Sequence, residues 1–219
     1  MVVAIDGPAG VGKSTVARRS AADAGFLYIN SGSFYRAITL AVLQTGAEPR
    51  DTRQVLATAR KARLELSLGD LQLDGRNVEG LIHSDAVDSW VAVHSAISAL
   101  RDVVNDRLRE LAAGGDAVVE GRDIGTVVFP DAEVKIYLDA DVATRASRRH
   151  EQGVSSLSVD EIEKAIGERD AVDRNKPTGR LAAAPDAIRI DTSLLTIDQV
   201  CERVREAILV SKNNPGDIR

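Results

Sequence analysis

Gly7-Pro8-Ala9-Gly10-Val11-Gly12-Lys13-Ser14 decides the fold, because this GxxxxGKS run follows at once on the apolar stretch Val2 to Ile5. A buried strand delivers the chain and the glycines let backbone N–H groups converge on phosphate oxygens. Lys13 then reaches the terminal phosphates, and the Ser14 hydroxyl is placed for Mg²⁺. Behind the loop, Val16, Ala17, Ala21 and Ala24 recur at helical spacing. The loop therefore opens a helix whose N-terminal dipole adds to the anion site. Strand, loop and helix in that order separate a phosphate loop from a chance Gly-rich turn.

Composition narrows what can surround that loop. With 219 residues, 44% of them hydrophobic, the chain has room for one substantial α/β domain carrying an insertion. No apolar run approaches the ~20 residues of a membrane span, and Asp6 interrupts the apolar start, so a cytoplasmic protein without a membrane partner is expected. The single Cys201 excludes an intrachain disulfide and sits at an apolar position of a C-terminal helix, which predicts a buried thiol. His83, His94 and His150 show no metal-ligand spacing. The net charge of −5 argues against a nucleic-acid surface. Of the 28 basic residues only six are lysine, and arginine binds phosphate bidentately, so clusters of it carry the signal.

Periodicity predicts a strand over 2–6, a helix over 13–24, a short strand from Phe26 to Ile29, and a helix from about Ser33 to Leu43. Asp51 caps a further helix to about Arg63, with Val55, Leu56 and Ala59 inward. Leu64-Glu65-Leu66-Ser67-Leu68 and Leu71-Gln72-Leu73 then alternate apolar and polar around Gly69-Asp70, which predicts a small antiparallel patch inserted at about 64–85. Helical segments follow from Asp85 to Ala113, with Trp90 read as packing. Ala117-Val118-Val119 and Val134 to Leu138 suit central parallel strands. A helix is expected over 142–152. Ser158 with Glu161 is a capping box for another to about Asp173, 175–187 is a loop, and Ile188 to Ile190 is a last strand. Thr196 with Gln199 caps a helix whose inner face is Ile197, Val200, Cys201, Val204 and Ile208. The tail from Lys212 is expected to be disordered.

Alternating strands and helices behind a phosphate loop imply a mostly parallel sheet covered on both faces, with nucleotide at the carboxyl ends of the strands. A GTPase reading fails, because Asn175-Lys176-Pro177-Thr178 lacks the acid of a base-reading Asn-Lys-x-Asp. Two strands end in an acid suited to a Walker B role, at Glu120 and at Asp139, and the sequence does not choose between them. Transfer of a phosphoryl group onto a second phosphate needs no general base; it needs positioning and charge neutralisation. Arginines recurring in motif after motif, with no histidine or cysteine nucleophile, fit that chemistry.

Three further segments narrow the kind of kinase: Asn30-Ser31-Gly32-Ser33-Phe34-Tyr35-Arg36, then Glu120-Gly121-Arg122-Asp123-Ile124-Gly125-Thr126-Val127-Val128-Phe129-Pro130-Asp131-Ala132, then Glu168-Arg169-Asp170-Ala171-Val172-Asp173-Arg174-Asn175-Lys176. With the phosphate loop, in this order and over Val2 to about Ile208, they resemble the bacterial cytidylate kinases. The resemblance implies a three-layer P-loop kinase fold of one domain over 1–219. It has a central parallel sheet, an antiparallel nucleoside-monophosphate-binding insertion at about 64–85 and a helical lid at about 145–185. The implied reaction moves the γ-phosphoryl group of ATP to CMP or dCMP in pyrimidine metabolism, with Mg²⁺ and with no nucleic-acid partner. A monomer is expected, since no heptad or exposed apolar stripe is evident.

Carried over by position, the resemblance gives ATP to Gly7, Pro8, Ala9, Gly10, Val11, Gly12, Lys13, Ser14 and Thr15, with Ser14 at the metal. Ser31 and Arg36, with Tyr35 before it, hold the acceptor phosphate, as does Arg122. Asp123 and Ser95 meet cytosine, Asp173 the sugar, with Arg169 beside it, and Lys176 stands where an arginine often reaches the acceptor phosphate. Lys13, Arg122, Arg145 and Arg149 are the expected catalytic cations, with Arg148 in the same lid helix. Two stretches depart from the family pattern. Arg101-Asp102-Val103-Val104 puts Val104 where an Arg is expected to read cytosine, and Arg101, three residues earlier on the same helical face, is the candidate substitute. Gly179-Arg180-Leu181 replaces Ala-Pro-Leu. Two other functions compete: a related small-molecule kinase with a different acceptor, and a nucleotide switch without turnover.

Overall fold

The computed structural model describes residues 1–67, 69–151, 157–176 and 178–213. The chain forms two compact units, one of Met1–Ile29 with Gly115–Arg219 and one of Asn30–Gly114.

The first unit is built on a five-stranded sheet. Its strands are β1 (Val2–Asp6), β2 (Leu27–Asn30), β6 (Ala117–Gly121), β7 (Val134–Asp139) and β8 (Ile188–Asp191), in the order β2-β6-β1-β7-β8. β1 runs parallel to both β6 and β7, and β7 parallel to β8. Val3, Ala4 and Ile5 of β1, Val118 and Val119 of β6 and Ile136 and Leu138 of β7 are buried because helices cover them. α1 (Lys13–Ala24) and α8 (Ile197–Asn213) bury Val16, Ala17 and Ala21 and Val200, Cys201, Val204 and Ile208 in one core with Val3, Ile5, Val118 and Ile136. Cys201 is thus the buried thiol its position predicts, and burial pushes it up. α6 (Val142–Glu151) and α7 (Val159–Asn175) form a smaller core of Ala146, Ile162 and Ile166. The capping box forms as read: Ser158 accepts from the Glu161 backbone, and Glu161 accepts from Ser158. Between β6 and β7 a π-helical turn, Ile124–Val128, interrupts the βα alternation.

The second unit holds α2 (Ser31–Gln44), α3 (Thr52–Lys61), α4 (Asp85–Ser95) and α5 (Ser98–Ala112), with the antiparallel strands β3 (Leu64–Ser67), β4 (Asp70–Leu73) and β5 (Arg76–Asn77). Leu71 and Leu73 point inward, as their alternation requires. α2 begins at Ser31, two residues before the expected start, because the Asn30 side chain accepts from Ser33 N at 3.2 Å and caps it. α3 ends at Lys61, short of Arg63, and Leu56 is only half-buried beside buried Val55 and Ala59. His94 is buried, with Nδ1 2.9 Å from Thr39 Oγ1 and Nε2 2.9 Å from Pro49 O, and Trp90 stacks on it. Trp90 therefore packs, as read. α8 runs on through Lys212 to Asn213, two residues into the stretch expected to be disordered. Leu68, residues 152–156 (with them the last residue of the helix expected over 142–152), Pro177 and the tail from 214 lie outside the described residues.

Candidate active site

The phosphate loop leaves β1 at Asp6. A Cβ on Gly7 would stand 2.2 Å from the Leu138 carbonyl oxygen, so only glycine lets the chain turn there. Gly12, at φ 90°, occupies the N-cap of α1 without a side-chain cap, which leaves the first amides of the helix to an anion. Lys13 is buried and its ammonium donates to Pro8 O at 2.6 Å. Burial, and then the Arg122 charge, push it well below the usual lysine range.

The structure also chooses between the two strand-ending acids. Ser14 Oγ donates to Glu120 Oε2 at 3.0 Å and the Tyr28 hydroxyl donates to Glu120 Oε1. Asp139 turns back onto the Ala140 amide. Ser14 and Glu120 are hard oxygen donors side by side, the donor chemistry Mg²⁺ takes. Glu120 and Tyr28 are not among the residues assigned from sequence. The signal for Glu120 is its place at the end of an apolar strand; Tyr28 leaves none.

Also in the first unit, Arg122, Asp173 and Lys176 come together. Arg122 Nε donates to Asp173 Oδ2 at 3.2 Å, and Lys176 Nζ lies 2.7 Å from Asp173 Oδ1. Burial acts to raise Asp173, yet Lys176 and Arg122 hold it below the usual carboxylate range. Asp123 is buried. Arg169 is exposed on α7, and its charge reaches Lys13.

In the second unit, Ser31, Tyr35 and Arg36 follow one another on the first turns of α2. Arg36 Nη1 donates to Ile82 O at 3.0 Å and pairs with Asp88 at 2.7 Å. Val104 is fully buried, whereas the Arg101 guanidinium lies over the Tyr35 ring, 5.5 Å from its centroid, and donates to Ser95 O at 3.3 Å. The Ser95 hydroxyl turns back to Ala92 O at 3.1 Å.

Of the cations read as catalytic, Arg145 has a different place. It is 1% exposed, and its donors are engaged inside the protein: Nε to Ala140 O at 3.0 Å, Nη1 to Ala9 O at 3.0 Å, and Nη2 to Asp170 Oδ2 at 2.6 Å. It ties the phosphate loop to α6 and α7 and so helps hold that loop in place. Arg148 is likewise engaged, with Thr192, while Arg149 is exposed.

A sequence profile of the family described as cytidylate kinase matches residues 3–209. The chain belongs to the cytidylate kinase family. It is 43% identical over 216 residues to a cytidylate kinase of Mycobacterium avium, covering 95% of each chain. With a cytidylate kinase of Caldanaerobacter subterraneus it shares 41% over 219 residues, covering 99% of this chain and 97% of the relative. One of Limosilactobacillus reuteri is 39% identical over 214 residues, 94% of each. Among solved structures, a shikimate kinase from Bacteroides thetaiotaomicron aligns with TM-score 0.51 at 10% identity, over 95% of this chain and 98% of that one. TT1252 from Thermus thermophilus aligns with TM-score 0.52 at 17% identity, over 96% and 97%. Those likenesses show the fold, α/β with a central parallel sheet; the family membership rests on the cytidylate kinase relatives.

Proposed function

We infer that this chain is a cytidylate kinase that transfers the γ-phosphoryl group of ATP to CMP and dCMP, giving ADP with CDP or dCDP. The observation that carries the reading is the family match over residues 3–209, joined to a phosphate loop whose lysine, serine and open helix amides are all in place.

Gly7 to Thr15 is assigned to ATP. The amides at the start of α1 take phosphate oxygens, and Lys13 exchanges the Pro8 carbonyl for the β- and γ-phosphates. Magnesium, held by Ser14 with Glu120 behind it, supplies charge neutralisation at those phosphates when bound. Ser31, Tyr35, Arg36, Arg122 and Lys176 are assigned to the acceptor phosphate, Ser95, Asp123 and Arg101 to cytosine, and Asp173 with Arg169 to the sugar. Arg101 stands in for the arginine that Val104 replaces, because it is the one of the two that reaches Tyr35. The acceptor oxygen is already anionic, so the work is to bring two polyanions into line and cover the developing charge, for which Lys13, Arg122, Arg145 and exposed Arg149 are the assigned cations. Residues 145–185 are assigned as the lid and 64–85 as part of the acceptor-binding region. The enzyme is proposed to act as a monomer in the cytoplasm, where its nucleotide substrates are found. No helix among the described residues is long and apolar enough to cross a membrane.

Steady-state ADP formation from Mg·ATP with CMP, dCMP, UMP, AMP, dTMP, GMP and no acceptor tests the reading. Strong turnover confined to CMP and dCMP is expected. Equal turnover with UMP would remove Arg101 from base selection, and turnover with none would leave a nucleotide switch.

A further inference from the structure

Asp6, the last residue of β1, is buried and lies outside every role given above. Each of its carboxylate oxygens accepts one backbone N–H, Oδ1 from Ile124 and Oδ2 from Gly125, both at 2.8 Å. Those amides open the π-helical turn Ile124–Val128, whose first N–H groups have no acceptor within the turn. The residue at its N-cap, Asp123, makes no side-chain cap. The cap therefore comes from a different strand, the one that also launches the phosphate loop. A Cβ on Gly125 would stand 3.3 Å from the Lys135 side chain and in ordinary contact, 3.5 Å, with Asp6 Oδ2, so a side chain there would crowd Lys135 first.

The turn begins directly after Arg122 and Asp123. We propose that Asp6 is a positioning residue for phosphoryl transfer: by clasping the Ile124 and Gly125 amides it fixes the turn, and with it the placement of Arg122 and Asp123 toward CMP, without touching either substrate. This rests on the reading of the chain as a cytidylate kinase. The groups that face the carboxylate are Lys13 at the start of α1, Asp123 beside the turn, and Tyr137 on β7. Lys135, also on β7, packs on Gly125 with its ammonium on Pro130 O and Asp186. The ionised carboxylate offers a charged acceptor to each amide; protonation leaves the oxygen that carries the O–H a weaker acceptor. Burial, with the Asp123 charge adding to it and the two amides and Lys13 opposing, raises Asp6 to about 6. The clasp therefore weakens as pH falls through that value.

The test follows the Ile124 and Gly125 amide resonances of ¹⁵N-labelled protein, without substrate, between about pH 5 and pH 8. Both are expected to titrate together with a midpoint of about 6, and Asp6→Asn is expected to abolish that titration. The Asn carboxamide can accept from one amide but turns its NH₂ toward the other. Its KM for CMP is expected to rise roughly tenfold or more while the KM for Mg·ATP stays within about threefold. Amides that do not titrate, or equal losses on both substrates, overturn the proposal. If the variant does not fold, the native titration decides alone. Absence of CMP turnover by the native protein would instead sink the cytidylate reading and leave the amide titration to judge the clasp.

Discussion

Replacing Asp170 by Asn tests the reading of Arg145 as a strut. The two side chains are 3% and 1% exposed and meet at 2.6 Å through Oδ2, while Asp170 Oδ1 is buried without a hydrogen-bond partner. The Asn carbonyl can keep the bond to Arg145 and place its NH₂ where Oδ1 was, so the substitution removes charge while preserving shape. A buried guanidinium left without its counter-charge costs about 3 kcal/mol, the low end of the range for breaking a buried pair. For a chain of this length each kcal/mol lowers Tm by about 2–4 °C, so the melt should fall by roughly 10 °C. A second readout separates packing from function. Arg145 also holds the Ala9 carbonyl, so the KM for Mg·ATP should rise with the KM for CMP little changed. The charge-free pair Arg145→Met with Asp170→Leu should recover most of the melting temperature, because apolar replacement of a buried ion pair is often neutral. It should not recover the KM for Mg·ATP, because Ala9 O stays without its donor. A native-like melt for Asp170→Asn, or a double variant that restores both quantities, would refute the strut.

Asp6 makes a pH-dependent contribution to stability of unusual sign. Its carboxyl titrates at about 6 in the folded protein, against an ordinary aspartate value of 3.8, so in that window the folded state holds a proton the unfolded chain has lost. Stability from this group therefore falls as pH rises through the window, by at most about 3 kcal/mol. Denaturant titrations of the native protein and Asp6→Asn across it should differ by a pH-dependent amount; a constant difference would contradict the assignment. Asp173, held below the usual range, has the opposite sign: its contribution is present above the unfolded pKa and is lost as pH falls through the folded one. Arg122→Ala should cost roughly 10²–10³ in kcat, the scale of a lost oxyanion donor, and a near-native rate would remove it from the reaction. Arg101→Met should narrow the preference for CMP over UMP in the ratio of kcat/KM, and an unchanged ratio would show that Arg101 does not read the base.

How far the sequence carries depends on whether a feature is local. The phosphate loop, the capping box at Ser158 and the inner face of α8 are set within a few residues, and the structure has them as read. The start of α2 escapes pattern reading because Asn30 belongs to a motif and is at the same time a cap. The π-helical turn at Ile124–Val128 has no period that pattern reading detects. Glu120 and Asp139 both end apolar strands, and only the approach of Ser14 to one of them decides between them. Arg145 and Arg149 look alike in sequence, one turn apart on α6; burial against Ala9, Ala140 and Asp170 takes up the first and leaves the second at the surface.

The contact between Lys13 and the Pro8 carbonyl makes nucleotide binding a proton-linked event. Against the Pro8 carbonyl the ammonium is buried beside a neutral oxygen and its affinity for a proton is weakened, by burial first and by Arg122 next. Phosphate oxygens put negative charge where that carbonyl stood and strengthen its hold on the proton. Mg·ATP should therefore draw protons from solution as it binds at alkaline pH. The calorimetric heat should then change with the ionisation enthalpy of the buffer, and that dependence should vanish when Lys13 is replaced by methionine.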